Sequence, residues 1–138
     1  MQKCSTVMLI TGILFFLLGM LSAWNLLTLG LDTWVYLGLG SFLSEFLSAV
    51  VSFAAGAAGI RNWKKPKKAS TCFVIGLVSF SFFVMSVIGG WLYDPLSRIE
   101  FLLLNVVIQI ALTGLHMTYI LAAYKFAKSS HDISSLPN

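Results

Sequence analysis

Four polar side chains interrupt long apolar stretches of this 138-residue chain: Glu45, Asn105, Gln109 and His116. A carboxyl group inside an apolar run can hold a proton, a cation or a cationic substrate. Ionised at the centre of a membrane helix it costs on the order of 3 kcal/mol, so such a group takes up a proton or finds a partner. Asn105, Gln109, His116 and Tyr119 recur at helical spacing and share one stripe with Leu112 and Ala123. Glu45 falls near mid-membrane, judged by its distance from Asp32 and Arg61. Gln109 lies at a similar depth when its helix enters near Glu100, and Asn105 slightly higher. A Glu45–Gln109 hydrogen bond is therefore expected. His116 lies roughly 10 Å deeper at 1.5 Å per residue, which disfavours a direct Glu45–His116 pair.

Catalytic machinery is not legible. The sequence has no HExxH, no phosphate-binding glycine loop and no Ser–His–Asp order. A lone His116 lacks the two to four convergent ligands that a metal requires, and it reads as a bundle-facing hydrogen-bonding group. No enzyme, cofactor or metal is predicted.

The elements that must position these residues are long. The chain is 58% hydrophobic and 10% charged, with mean hydropathy +0.89, whereas a soluble domain carries about 25% charged residues. Residues 4–31, 69–93 and 101–124 carry no charge, and 33–60 carries only Glu45. Each exceeds the ~20 apolar residues that cross a ~30 Å hydrocarbon core. The predicted spans are 6–30, 34–60, 69–92 and 98–124, in one membrane domain covering 1–138. A barrel would alternate apolar and polar residues in ~10-residue segments, and these runs do not. The first run is longer than a signal-peptide core of about 7–15 residues and is read as an uncleaved helix.

Charge sets the orientation. Arg61, Lys64, Lys65, Lys67 and Lys68 fall in one eight-residue loop, and with Lys3, Lys125 and Lys128 they put eight of the nine basic residues on one side. Positive residues near spans stay cytoplasmic, so both termini are predicted inside. Arg98, flanked by Asp94 and Glu100, and Asp32 are predicted outside. Trp24, Trp34, Tyr36, Trp91 and Tyr93 fall near the outer interface and Trp63 and Tyr124 near the inner one, where aromatic belts form. The same five loop cations are candidates for contact with anionic lipid. Nucleic-acid binding is not expected of so short a basic loop. Pro66 breaks the helix between spans two and three. Ser97 and Glu100 match a capping box for span four, and Asp32-Thr33 can cap span two. The polar tail 129–138 is predicted to be disordered. Cys4 and Cys72, on the lysine-rich side, are predicted to be free thiols.

Span two has a small and polar face. Ser41, Ser44, Glu45, Ser48, Ser52, Ala55, Gly56 and Gly59 fall within a ~120° arc at 100° per residue. Small residues let membrane helices approach closely, so this arc is predicted to face the bundle. Span three carries a weaker version with Cys72, Gly76, Ser79, Ser86 and Gly90, and span one offers Gly12, Gly19 and Ala23. Ser5–Gly12 and Ser70–Gly76 also resemble each other, as two copies of one hairpin would.

The stretch from Ala57 to Cys72, with Gly59, the basic Pro66-containing loop and Lys68-Ala69 leading into span three, resembles a pattern in small four-span membrane proteins of Gram-positive bacteria that have no assigned activity. That resemblance implies a bacterial cell membrane and carries no chemistry. The resulting expectation is an all-α integral membrane protein: a four-transmembrane-helix bundle of two helical hairpins with both termini cytoplasmic. It would act without catalysis, through helix–helix packing with itself or with a partner membrane protein, in contact with the lipid bilayer. The alternative is a small proton- or cation-coupled transporter or ion-conducting oligomer that uses Glu45 and the span-four stripe.

Overall fold

Hydrocarbon offers no hydrogen-bonding partner to a backbone, so apolar runs of this length satisfy their own N–H and C=O groups as helices. The computed structural model describes residues 2–28, 39–93 and 102–134. These form α1 (Gln2–Thr28), α2 (Leu39–Asn62), a 3-10 turn (Pro66–Lys68), α3 (Ala69–Tyr93) and α4 (Leu102–Ser134). Among the described residues there is no strand. All four helices are long and apolar enough to cross a membrane, over Lys3–Thr28, Phe42–Asn62, Pro66–Gly89 and Leu102–Ser129.

Pro66 acts at the junction of α2 and α3. Lys65 before it leaves helical geometry (φ −115°, ψ 84°), as a residue preceding proline tends to. Its N–H caps Asn62 O at 2.8 Å, and Lys68 N–H bonds Lys65 O at 2.9 Å. The chain thus turns with its backbone groups paired.

The bundle is cyclic. α1 packs most extensively on α2 and α3 on α4, giving two antiparallel hairpins, while α2 with α3 and α1 with α4 close the ring. α2 and α4 stand diagonally. The core lies in the lysine-rich half, where Met8, Phe15, Ala55, Cys72, Tyr119 and Ala123 are fully buried. Large apolar side chains such as Leu27, Met85 and Leu103 are more than two-thirds exposed. That distribution suits a lipid-facing exterior.

Three sequence expectations meet the described residues differently. The helix of span four carries through Ser134. Lys125 and Lys128 suit a helix C-terminal region, Ser129 Oγ–H bonds Phe126 O at 2.8 Å, and the first helix breaker is Pro137. The proposed caps at Asp32-Thr33 and Ser97–Glu100, with Trp34, Tyr36, Asp94 and Arg98, lie outside the described residues. Glu45 stands sixteen residues from Arg61, about 24 Å along α2, while Asp32, the other reference for its depth, lies outside the described residues.

Candidate functional site

The contact between α1 and α2 is made by backbone. A Cβ added at Gly56 would lie 2.6 Å from Phe16 N, 2.8 Å from Phe16 Cα and 2.9 Å from Gly12 O. One at Gly59 would meet Gly12 Cα at 3.0 Å, and one at Gly12 would meet Ile60 N at 3.1 Å. Only glycine permits this approach, so the small face of α2 turns to α1. Ser48 and Ser52 on that face are half-buried, whereas Ser44 is exposed. The side chain of Ser41 lies outside the described residues.

Tyr119 links all four helices. Its hydroxyl crosses the bundle from α4 and donates to Ala55 O of α2 at 2.9 Å. Its ring packs edge-on to Phe15 of α1, with centroids 5.3 Å apart. A Cβ on Gly76 of α3 would come within 2.9 Å of that ring, and one on Gly59 within 3.0 Å. The two glycines therefore form the slot in which Tyr119 lies. Gly76 aligns with Gly12 in the two similar stretches. Each packs the first helix of a hairpin on the second, but Gly12 meets backbone and Gly76 meets a ring.

Toward the lysine-rich end the polar groups continue. Cys72 Sγ–H donates to Ala58 O at 3.3 Å, and Asn62 Nδ2 donates to Cys72 Sγ at 3.6 Å. Ser5 Oγ–H donates to Trp63 O, tying α1 to the end of α2. Both cysteines are free; Cys4 is half-buried and Cys72 fully buried.

His116 sits one turn from Tyr119. Leu112 O can only accept, so His116 Nδ1 carries the proton in their 2.8 Å bond. Nε2 of the neutral ring is then an acceptor, and Ser79 Oγ–H donates to it at 3.2 Å. Phe15, Phe80 and Phe83 surround the imidazole, with centroids 4.7, 5.8 and 5.0 Å away. Both nitrogens are occupied and the ring faces are covered, so His116 joins α4 to α3.

The remaining site candidates do not converge. Among the described residues no hydrogen bond joins Glu45 to Gln109, and Glu45 has no ion pair or side-chain hydrogen bond. Gln109 faces α3, where it lines a cleft of about 160 Å³ with Phe80, Phe83, Val84, Val87, Ile88 and Thr113. Its Nε2 is buried there without a partner. The reason is the face of α4 that carries Gln109, which turns to α3, whereas Tyr119 on the same helix reaches α2 across the diagonal. Asn105 is half-buried on α4. Arg61, Lys64, Lys65, Lys67 and Lys68 are exposed around the 3-10 turn, with Lys64 Nζ 4.5 Å from the Trp63 ring centroid. Among the described residues no three His, Cys, Asp or Glu side chains could together hold a metal ion.

No family model, characterised protein or solved structure matches the chain.

The residues that organise the bundle were only partly marked as candidates. Gly56, Gly59, Gly76, Ser79 and Cys72 stand on the small faces read from the sequence and His116 and Tyr119 on the span-four stripe, whereas Asn62, Ser5 and Phe15 carry no assigned role there. A signal was present. Tyr119 shares the stripe of His116, and Ser5, Asn62 and Cys72 are polar groups near the lysine-rich ends of the first three spans.

Proposed function

We propose that this is a non-enzymatic, multi-pass protein of a bacterial cell membrane, with both termini in the cytoplasm, that acts by associating with a further membrane helix of its own kind or of a partner protein. Orientation rests on the clustering of Lys3, the loop cations, Lys125 and Lys128 at one end of the sequence-defined spans. The observation that carries the association reading is the contrast between Glu45 and the core. Ser5, Asn62, Cys72, Ser79, His116 and Tyr119 are each hydrogen-bonded within the chain. Glu45, inside the span Phe42–Asn62 and half-buried, has no such bond among the described residues. A carboxyl group in hydrocarbon gains most from a partner group on another helix.

The closed core favours packing over conduction. An ion moving from the level of Glu45 toward the lysine-rich end would have to displace Phe15, His116 and Tyr119, which pack ring against ring. Proteoliposomes carrying the wild-type protein should therefore show no proton or monovalent-cation flux above empty vesicles. Purified in mild detergent from its own membranes, the protein should have a mass by light scattering greater than one chain. A lone monomer with no copurifying protein would overturn the association reading. Flux abolished by Glu45→Gln would replace it with the transport reading.

A further inference from the structure

We propose that the seam between α1 and α4 binds an anionic phospholipid of the leaflet at the lysine-rich end, its acyl chain lying in the seam and its headgroup on Lys3, Lys125 and Lys128. This does not depend on the association through Glu45, which belongs to α2.

The apolar half of the site is a groove of about 590 Å³ between the two helices, bounded by Thr11, Leu14 and Leu17 on α1 and by Ala111, Gly114 and Thr118 on α4. Gly114 keeps it open: a Cβ there would meet nothing within 4 Å. The groove lies within two spans, so its medium is lipid.

Helical register places charge at its mouth. Lys125 follows Thr118 by seven residues and Ala111 by fourteen; at about 100° per residue each heptad returns to within about 20° of the same face. Lys128 stands in the same relation to Leu121 and Gly114. On α1, Lys3 precedes Leu14 by eleven residues, about 20° past three full turns, and precedes Leu17 by fourteen. All three lysines are exposed; Lys3 and Lys125 lie on the faces that line the groove, and Lys128 stands at its edge, about 40° from Gly114. From Lys3 to Thr11 is about 12 Å along the axis, less than the ~15 Å of one hydrocarbon leaflet. Exposed Ile10 and Leu121 cover the interval with apolar surface. A headgroup phosphate at the lysines therefore hangs its chain along the groove.

Charge also selects among occupants. Neutral lipid would fill the groove but leave the three ammonium groups unmatched. A second copy docked symmetrically on this seam would bring its own Lys3, Lys125 and Lys128 to the same mouth, and like charges in register oppose that pairing.

The test uses the full-length protein in phosphatidylcholine vesicles doped with either phosphatidylglycerol or phosphatidylcholine bearing a photoreactive acyl chain, with adducts mapped by peptide mass spectrometry. The proposal expects adducts on α1 and α4 groove residues, enriched on the order of a hundred-fold for the phosphatidylglycerol probe when all three lysines engage its headgroup. The triple substitution Lys3→Gln/Lys125→Gln/Lys128→Gln should abolish the enrichment while groove labelling by both probes persists. Gly114→Leu should reduce labelling by both, since a Cβ at this position meets nothing within 4 Å and the longer side chain extends into the groove. Lys64→Gln/Lys65→Gln/Lys67→Gln should leave the enrichment intact. Equal labelling by the two probes overturns the proposal, as does an enrichment that follows the loop lysines. Groove labelling replaced by cross-links to a second copy also overturns it.

Discussion

Gly56→Ala is the most exacting single perturbation of the α1–α2 contact. Its new methyl carbon would stand 2.6 Å from Phe16 N, about 0.8 Å short of the 3.4 Å at which ordinary contact begins. The neighbours are Phe16 N, Phe16 Cα and Gly12 O, all backbone, so no rotamer change relieves the clash and α1 must move away from α2. Overpacking of this kind costs about 1–3 kcal/mol. Alanine also gains about 1 kcal/mol of helix propensity over glycine, which would mask part of the loss. Gly114→Ala supplies the control, because its methyl group meets nothing within 4 Å. Subtracting one glycine-to-alanine change from the other removes the propensity term. Unfolding in mixed micelles, followed by circular dichroism as the denaturing detergent fraction rises, should place Gly56→Ala below Gly114→Ala by about 1–3 kcal/mol. Gly12→Ala and Gly59→Ala, whose closest contacts are 3.1 and 3.0 Å, should fall between. Equal stability of Gly56→Ala and Gly114→Ala would refute the backbone-contact reasoning.

Tyr119→Phe removes the hydroxyl that donates to Ala55 O and should cost about 0.6–1 kcal/mol in the same assay, whereas Tyr119→Ala, which empties the slot between Gly59 and Gly76, should cost about 3–5 kcal/mol. Nitrogen-15 NMR of the imidazole should find the proton of His116 on Nδ1, with Ser79→Ala shifting the Nε2 resonance and leaving the tautomer in place; a proton on Nε2 would contradict the assigned bonds. Maleimide should label half-buried Cys4 in the folded protein and reach fully buried Cys72 only after unfolding. Equal labelling rates would show that the core near Asn62 and Cys72 is open.

The four helices were legible because each run exceeds the length that hydrocarbon demands, and the α2–α3 break because Pro66 cannot continue a helix. The small face of α2 was legible from its 100° periodicity. Its neighbour was not, because periodicity gives the direction a residue faces along its own helix and is silent on which helix stands opposite. That gap explains Glu45. The expected depth match to Gln109 was counted along two helices that stand diagonally, and Gln109 turns to α3 instead. Tyr119 illustrates the same limit. Its stripe on α4 could be drawn, but its reach to a carbonyl of α2 depends on Gly59 and Gly76 coming together from two other helices. The extension of α4 to Ser134 was obscured by polar composition, which excludes a membrane span without excluding a helix.

The most direct test of the account is the association state of the protein in membranes with and without the Glu45 carboxyl group. Single-molecule photobleaching in native-lipid vesicles, with copurified proteins identified in parallel, should find wild-type chains assembled with one another or with a bound partner, and Glu45→Ala chains dispersed yet still folded by circular dichroism. Wild-type and Glu45→Ala chains that are equally monomeric and without a partner would contradict it.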